Sequence, residues 1–513
     1  MSKKSFIIST STIVIMLFIV TAVFLKVSII DILLFMKLII SKFFLLYALA
    51  VALFIFLDND QPYRTLSWLL VLLLLPYVGI VLYILLGKNV RPKRVANRKI
   101  VSDVSIEERV AESQTDAISY LVSINEGVVL TRHTKIIKLL LKNSNSLFSV
   151  NNRVEVLTNG VQTFSRIMRS LLEAKEDIYM EYFIIKDDKL GNKIKDILIE
   201  KAKDGVKVKI MYDAVGCWKL GKEFKKQLIE AGVEIYPFCP VAFPVLSRRL
   251  NYRNHRKILI VDGKTGYLGG LNIGDEYLGK SEKLGFWRDT HLKIEGEGVR
   301  SLEKIFINDW KFVSGEILES NQIFKPLTYE KHCILQIAAS GPDSDWQNIQ
   351  QGYFSIIATA NERIWIETPY LVPDDSLRMA LKTAALSGID VKIIIPNKPD
   401  HFFVYWASRD NIEGLAEAGV KIYTYERGFI HSKILTVDGI VASVGTANMD
   451  IRSFGINYEV NAFIYGKDTI ERLEQDFISD LQDSKMIDYE KHLKRGLKEK
   501  VLEALGRLVS PIQ

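Results

Sequence analysis

"HRKILIVDG", His255–Gly263, and "HSKILTVDG", His431–Gly439, are one segment written twice. Each opens with a histidine and a lysine two residues apart, runs through apolar residues and closes on Asp-Gly. Residues two apart in a strand point to the same face, so each histidine stands beside its lysine. The Ile/Leu/Val stretch predicts a buried strand, and Asp-Gly predicts the turn that ends it. "GGLN" (Gly269–Asn272) and "GTAN" (Gly445–Asn448) follow, histidine to asparagine being 17 residues in both copies. The predicted returning strand carries Asn272 and Asn448 back towards the histidines. Repetition at identical spacing, in a chain with only 7 histidines, excludes coincidence.

The repeat extends outward. "AKEDIYMEYFIIKDDKLGNKIKDILIEKAKDGVKVKIMYD" (Ala174–Asp213) is echoed by "ANERIWIETPYLVPDDSLRMALKTAALSGIDVKIIIPN" (Ala360–Asn397). Each predicts an apolar strand, a helix ending near Gly205 or Gly388, and a Val/Ile-rich strand. "LIEAGVEIYPF" (Leu228–Phe238) and "LAEAGVKIYTY" (Leu415–Tyr425) continue the echo. Apolar strands alternating with helices predict α/β domains whose sheets are covered on both faces. The copies are 176 residues apart at their histidines, far too long for a solenoid and suited to a duplicated domain. Two such domains meeting about an approximate two-fold axis give a bilobal core with one shared site. The expected boundaries are 100–150 for a helical connector, 151–325 for the first domain and 326–513 for the second. A long charged helix, from about Thr469 to Leu508, is expected at the end of the second.

Composition separates this body from what precedes it. The 513 residues are 48% hydrophobic with a net charge of +7, and most of the apolar excess lies in the first 90 residues, within an expected membrane-anchoring region of 1–99. Ser5–Leu25 and Leu66–Leu86 are uncharged runs of 21 residues, and Leu38–Leu57 carries only Lys42. About 20 apolar residues span a bilayer core, so two or three transmembrane helices are expected, with a signal peptide as the alternative for the first run. Lys88, Arg91, Lys93, Arg94, Arg98 and Lys99 follow the third run, which puts the body on the cytoplasmic side by the positive-inside rule. Cys217, Cys239 and Cys333 have no metal or CxxC spacing, and neither a metal nor another cofactor is expected.

Two histidines, two lysines and two asparagines converging on one axis make a phosphate site. The catalytic set expected from the motifs is His255, Lys257, Asp262, His431, Lys433 and Asp438. The lysines supply charge, and the amides of Asn272 and Asn448 donate to non-bridging oxygens. One imidazole attacks phosphorus; the other protonates the leaving alkoxide and then deprotonates the incoming alcohol. Each imidazole needs an orienting carboxylate, for which Asp289 in "FWRDTHL" and Glu459 in "NYEVNAF" are the candidates, a surface ion pair being the alternative for each.

These residues resemble the signature of the phospholipase D superfamily, H-x-K-x4-D-x6-G-[GST]-x-N in duplicate. Within it the chain is similar to the membrane-anchored bacterial cardiolipin synthases, notably in "RTLSWLLVLLLLPYVGIVLYILLG", "ETPYLVPDDS", "GTANMDIRSFGINYEVNAF" and "RLVSPIQ". The resemblance implies transfer of a phosphatidyl group from one phosphatidylglycerol to another, giving cardiolipin and glycerol, on a multi-pass protein of the bacterial cell membrane. It implies that His255 is the nucleophile and His431 the general acid and base. It also implies that Thr446 offers the phosphate a hydroxyl that Gly270 lacks. A phospholipid hydrolase of the same superfamily, a transferase with another alcohol acceptor, a membrane-attached nuclease and a non-catalytic scaffold are the rivals. Nucleic acid is not the expected partner, because only scattered cations such as Arg248, Arg249 and Arg253 stand near the motifs and no long basic groove is evident. A scaffold predicts eroded motifs, and both are intact.

Overall fold

The computed structural model describes residues 128–240, 252–318 and 333–510, together with Gln114 and part of 31–83. It divides into two compact units, Met1–Lys88 and Asn89–Gln513. In the first, a helix runs over Pro62–Leu74. Its opening proline has no N–H to leave unpaired and a φ already suited to a first turn. The helix begins four residues before the third apolar run. Trp68 and Leu72 are buried on it, and Trp68 meets Tyr83 edge-on at 5.3 Å. Among the described residues no helix is long and apolar enough to cross a membrane. The first run, Ser5–Leu25, and parts of the other two lie outside the described residues.

The second unit holds two sheets of one design. The strands of the first are β2 (Asn152–Thr158), β3 (Asp177–Tyr182), β4 (Lys207–Asp213), β5 (Glu234–Phe238), β6 (Lys257–Val261), β7 (Thr265–Gly269) and β9 (Thr290–Gly296), with β1 (Phe148–Ser149) and β8 (Phe286–Arg288) belonging elsewhere. Those of the second are β10 (Leu335–Ser340), β11 (Arg363–Glu367), β13 (Asp390–Pro396), β14 (Lys421–Tyr425), β16 (Ile434–Val437), β17 (Val441–Gly445) and β19 (Glu459–Ile464), edged by β1 and by β20 (Ser484–Met486). Two short strands, β12 (Leu371–Val372) and β18 (Met449–Asp450), pair with each other, and β15 (Gly428–Ile430) pairs with β8.

The first sheet runs β2-β9-β7-β6-β3-β4-β5 and the second β1-β10-β19-β17-β16-β11-β13-β14-β20. Stripped of its edge strands, the second repeats the first position for position, as the duplicated sequence requires. β6 and β16 are central and wholly buried, which is why "KILIV" and "ILTV" have almost no polar alternation.

Two apolar layers lie on the outer faces. Helices Asn159–Glu173, Lys189–Lys203 and Lys222–Glu230 cover the first sheet through Phe164, Leu171, Ile194, Leu198 and Phe224. Helices Val128–Ser144, Asn348–Ala358 and Asp375–Leu386 cover the second through Leu140, Ile349, Tyr353, Leu377 and Leu381. Between the sheets a third layer joins Ile258, Ile260, Leu268 and Leu292 of one lobe to Ile434, Val444, Val460 and Ala462 of the other. The inner faces of the two copies are therefore one core, and the lobes are not independently wrapped. The predicted single helix after Thr469 is three: Lys467–Gln482, Tyr489–Leu493 and Leu497–Val509. Asp488 caps the second of these by accepting from the Lys491 N–H, and Gly496 precedes the third.

Candidate active site

Cross-lobe strand pairing decides which residues meet. Asn254 of the first lobe forms an isolated parallel bridge with Tyr458 of the second, and β15 runs parallel to β8 with Ile430 opposite Arg288. One residue further along, each bridge sets a histidine of one lobe beside a carboxylate of the other. The His255 N–H donates to the Tyr458 carbonyl at 2.9 Å, and the His431 N–H donates to the Arg288 carbonyl at 2.7 Å. β15 approaches so closely that a Cβ on Gly428 would lie 2.1 Å from the Phe286 carbonyl oxygen.

The His255 Nδ1 lies 3.0 and 2.9 Å from the two carboxylate oxygens of Glu459, and the His431 Nδ1 lies 2.7 Å from Asp289 Oδ2. Each carboxylate thus serves the histidine of the opposite copy, a pairing that spacing does not reveal. A carboxylate only accepts, so Nδ1 carries a hydrogen on both rings, and Nε2 of each is the nitrogen left to attack or to carry a transferable proton. Both pairs are buried. Burial raises the carboxylates, but His431 and Lys433 hold Asp289 below its usual range, and His255 and Lys257 do the same for Glu459.

Lys257 and Lys433 donate to the carbonyls of His255 and His431 at 2.7 and 2.6 Å. Burial pushes the Lys257 ammonium down to about 7, with Lys433 adding to the fall, and pushes Lys433 down to about 8. Burial is also the main cause lowering both imidazoles, His431 to about 4. Lys433 contributes to the fall at His255 and Lys257 to that at His431, so each lysine acts across the lobe boundary. Glu459 and Asp289 offset part of the fall at both lysines.

Not every expected residue reaches this centre. Asp262 and Asp438, expected among the catalytic groups, stand at the far ends of their strands. Asp262 accepts from the N–H groups of Lys175, Glu176 and Asp177 at 2.7–3.1 Å, where β3 starts, whereas Lys257 pairs with Tyr182, where β3 ends. Five strand residues separate them, roughly 16 Å at about 3.3 Å per residue. Asp438 does the same for Asn361, Glu362 and Arg363 at 2.8–2.9 Å. Both take left-handed φ, +51° and +55°, which short polar side chains tolerate. They staple a hairpin turn to a strand start. Asp262→Ala is therefore expected to cost stability, about 1–3 kcal/mol for stranded N–H groups, with kcat of the folded protein within about threefold of wild type; thermal melting beside initial rates checks this.

Thr446 is also placed differently. Its Oγ1 accepts from the Val460 N–H at 2.9 Å and bonds Glu459, so the hydroxyl supports the orienting carboxylate. Gly270, its counterpart, faces the other orienting carboxylate: a Cβ there would sit 2.1 Å from Asp289 Oδ1. Position 270 makes room for a carboxylate, and its missing hydroxyl is not one taken from phosphate. Gly270→Ala is expected to displace Asp289 and lower kcat about 10²-fold, the usual scale for a 1 Å misplacement; an unchanged rate excludes this packing.

The asparagines flank the centre. Asn272 Oδ1 accepts from Ile184 N–H at 3.1 Å, next to Phe183, whose ring meets His255 edge-on at 5.0 Å. Asn448 bonds Asp450, whose charge is felt at Lys433. Arg253 is turned inward on Asp213 at 3.2 Å, while Arg248 and Arg249 lie outside the described residues. All three cysteines are buried. Among the described residues no three His, Cys, Asp or Glu side chains are grouped as metal ligands.

The family model described as cardiolipin synthase, PLD-like domain matches residues 167–310 and 353–481, one segment in each lobe, and that described as phospholipase D-nuclease N-terminal matches 43–88. The chain is 47% identical to cardiolipin synthase 2 of Bacillus anthracis, over 89% of this chain and 88% of that one. It is 45% identical to a cardiolipin synthase of Geobacillus kaustophilus, over 90% and 91%. The major cardiolipin synthase of Bacillus subtilis is 42% identical, over 93% of this chain and 99% of its own. Among solved structures, the phosphatidylserine synthase of Haemophilus influenzae covers 74% of this chain and 99% of its own with a TM-score of 0.58 at 16% identity, a likeness of fold. With a family segment in both lobes and near full-length relatives above 40% identity, the chain belongs to the bacterial cardiolipin synthases of the phospholipase D superfamily.

Proposed function

We infer that the chain makes cardiolipin and glycerol from two phosphatidylglycerol molecules through a phosphohistidine. The observation that carries the chemistry is the pair of imidazoles, each fixed at Nδ1 by the opposite lobe's carboxylate and each beside a buried lysine. In the first step His255 Nε2 attacks phosphorus, and the bond to the headgroup glycerol breaks. His431, protonated at Nε2 as well as Nδ1 once the phosphodiester anion is bound, gives that glycerol oxygen its Nε2 proton. In the second step His431 takes the proton of a second phosphatidylglycerol's terminal hydroxyl. Its oxygen displaces His255 from phosphorus and restores both rings. Lys257 and Lys433 balance the charge that builds on the non-bridging oxygens, and Asn272 and Asn448 flank them.

The charge state of the lysines sets a pH dependence. In the free enzyme Lys257 titrates at about 7 and Lys433 at about 8, both lowered first by burial. Phosphate binding needs them charged, so kcat/KM is expected to fall as pH rises through 7–8. A bound phosphodiester raises both lysines, so the alkaline limb of kcat moves up by a unit or more, each unit being about 1.4 kcal/mol. The acid limb belongs to the lowered imidazole of His255 and lies below 6.5. Identical kcat and kcat/KM profiles up to pH 9.5 contradict this.

Lipid substrates place the enzyme at a membrane. The N-terminal apolar runs are its anchor in this reading, as two or three spans of the bacterial cell membrane. The basic residues after Leu86 hold the catalytic lobes, 151–325 and 326–513, in the cytoplasm. The test of the intermediate is a His431→Asn variant quenched after mixing with a phosphatidyl ester of p-nitrophenol, whose leaving group needs no proton. An acid-labile, base-stable phosphatidyl label on the peptide holding His255 supports the mechanism. A label on no histidine refutes it.

A further inference from the structure

Behind each histidine lies a buried cluster of one arginine and two carboxylates, built from different sequence positions in the two halves. In the first lobe Arg256, the residue between His255 and Lys257, pairs with Asp309 on the helix Gly298–Ser314. Glu181 is beside them on β3, opposite Ile258, and accepts from Asn254 at 2.5 Å. In the second lobe the counterpart acids are Asp480, on the helix Lys467–Gln482, and Glu367 on β11 opposite Ile434. Their arginine is Arg288, which comes from the first lobe: Nε donates to Asp480 at 2.6 Å and Nη2 lies 3.8 Å from Glu367. All six side chains are buried.

The free edges of the two guanidinium groups do the same thing. Arg256 Nε donates at 3.2 Å to the main-chain carbonyl of Glu459, the carboxylate that holds His255. Arg288 Nη1 donates at 2.7 Å to the carbonyl of Asp289, the carboxylate that holds His431. Each arginine therefore crosses the lobe boundary, from an acid pair in the histidine's own lobe to the backbone of the carboxylate supplied by the other lobe. The sequence reaches this arrangement by two routes. The position inside H-x-K is Arg256 in one copy and Ser432 in the other, and the position before the orienting carboxylate is Tyr458 in one and Arg288 in the other. Across the lobe boundary the two positions touch: Arg256 lies 5.4 Å from the Tyr458 ring centroid, and Arg288 donates to Ser432 Oγ at 3.2 Å.

We propose that Arg256 and Arg288 are positioning residues that lock Glu459 and Asp289, and through them the two imidazoles, in register across the lobe boundary, and that Glu181–Asp309 and Glu367–Asp480 are the anchors they pull against. A guanidinium fork reaches both an acid pair and a carbonyl, whereas an ammonium presents a single point of donation. Burial, and the second acid beside it, raises Glu181 and Glu367 well above the usual carboxylate range, consistent with each pair holding a proton against its one arginine.

The proposal rests on the transferase reading above, and cardiolipin formation by the wild-type protein in phosphatidylglycerol vesicles tests that reading separately. The clamp is tested by ratios to wild type. R256S is expected to lower kcat about 10²-fold with KM within about threefold, a loss of alignment and not of binding. Adding Y458R to it returns a guanidinium from the position the other half uses, and is expected to recover at least tenfold. R256K and R288K keep the charge the acids need, which guards the test against a misfolded R256S, and are expected to lose about tenfold or more in kcat because they lack the fork. Folded lysine variants with wild-type kcat overturn the proposal. So does a folded R256S/Y458R protein as slow as R256S.

Discussion

His255→Asn is expected to lower cardiolipin formation at least about 10³-fold while leaving the fold intact. Removal of a covalent nucleophile takes away a whole reaction path, and comparable losses elsewhere reach about 10⁶. The ring packs edge-on against Phe183 and bonds Glu459, contacts that stabilise locally, and the surrounding core of Ile258, Ile260 and Leu268 is untouched. Melting and secondary-structure content should therefore match wild type. Turnover within tenfold of wild type excludes His255 as the group that attacks phosphorus.

The crossed carboxylates give the second large effect. Glu459→Gln and Asp289→Asn are each expected to cost about 10²–10⁴ in kcat, as when the orienting acid of a catalytic histidine becomes an amide. The amide nitrogen donates to Nδ1, which moves the ring hydrogen to Nε2 and blocks it. The two variants are separable. On a phosphatidyl ester of p-nitrophenol the leaving group departs without a proton, so the first step needs His255 and Glu459 only. Asp289→Asn is expected to release one equivalent of nitrophenol rapidly and then slow down; Glu459→Gln is expected to show no burst. A burst from Glu459→Gln and none from Asp289→Asn exchanges the roles of the two histidines.

Much of this was legible in the residues, and the remainder was hidden for physical reasons. The strands around "KILIV" and "ILTV", the duplicated sheet order and the convergence of His255, Lys257, His431 and Lys433 follow from period and repetition, which are local properties. Which carboxylate serves which histidine depends on two cross-lobe pairings, Asn254 with Tyr458 and Arg288 with Ile430, between segments 204 and 142 residues apart. No spacing rule carries that information. Asp262 and Asp438 look catalytic because they end the motif, yet the length of the strand puts them at its far end from the histidines, where their carboxylates bind backbone N–H groups. Glu181 and Glu367 look like ordinary strand residues, and Arg256 and Ser432 like a variable position. Their partners, Asp309 and Asp480, sit on buried helix faces that also carry Glu303 in the first case and Glu474 and Asp476 in the second. A charged residue on such a face was the one available signal, since burial of a lone charge is costly.

The chemistry common to the superfamily is phosphoryl transfer to histidine, and the second nucleophile separates a synthase from a hydrolase. Purified full-length protein incubated with phosphatidylglycerol labelled in its headgroup glycerol tests that difference directly. One cardiolipin for each labelled glycerol released, with half the label retained in the bridging glycerol, is the predicted result. Phosphatidic acid with all of the label in free glycerol, and no cardiolipin, contradicts it.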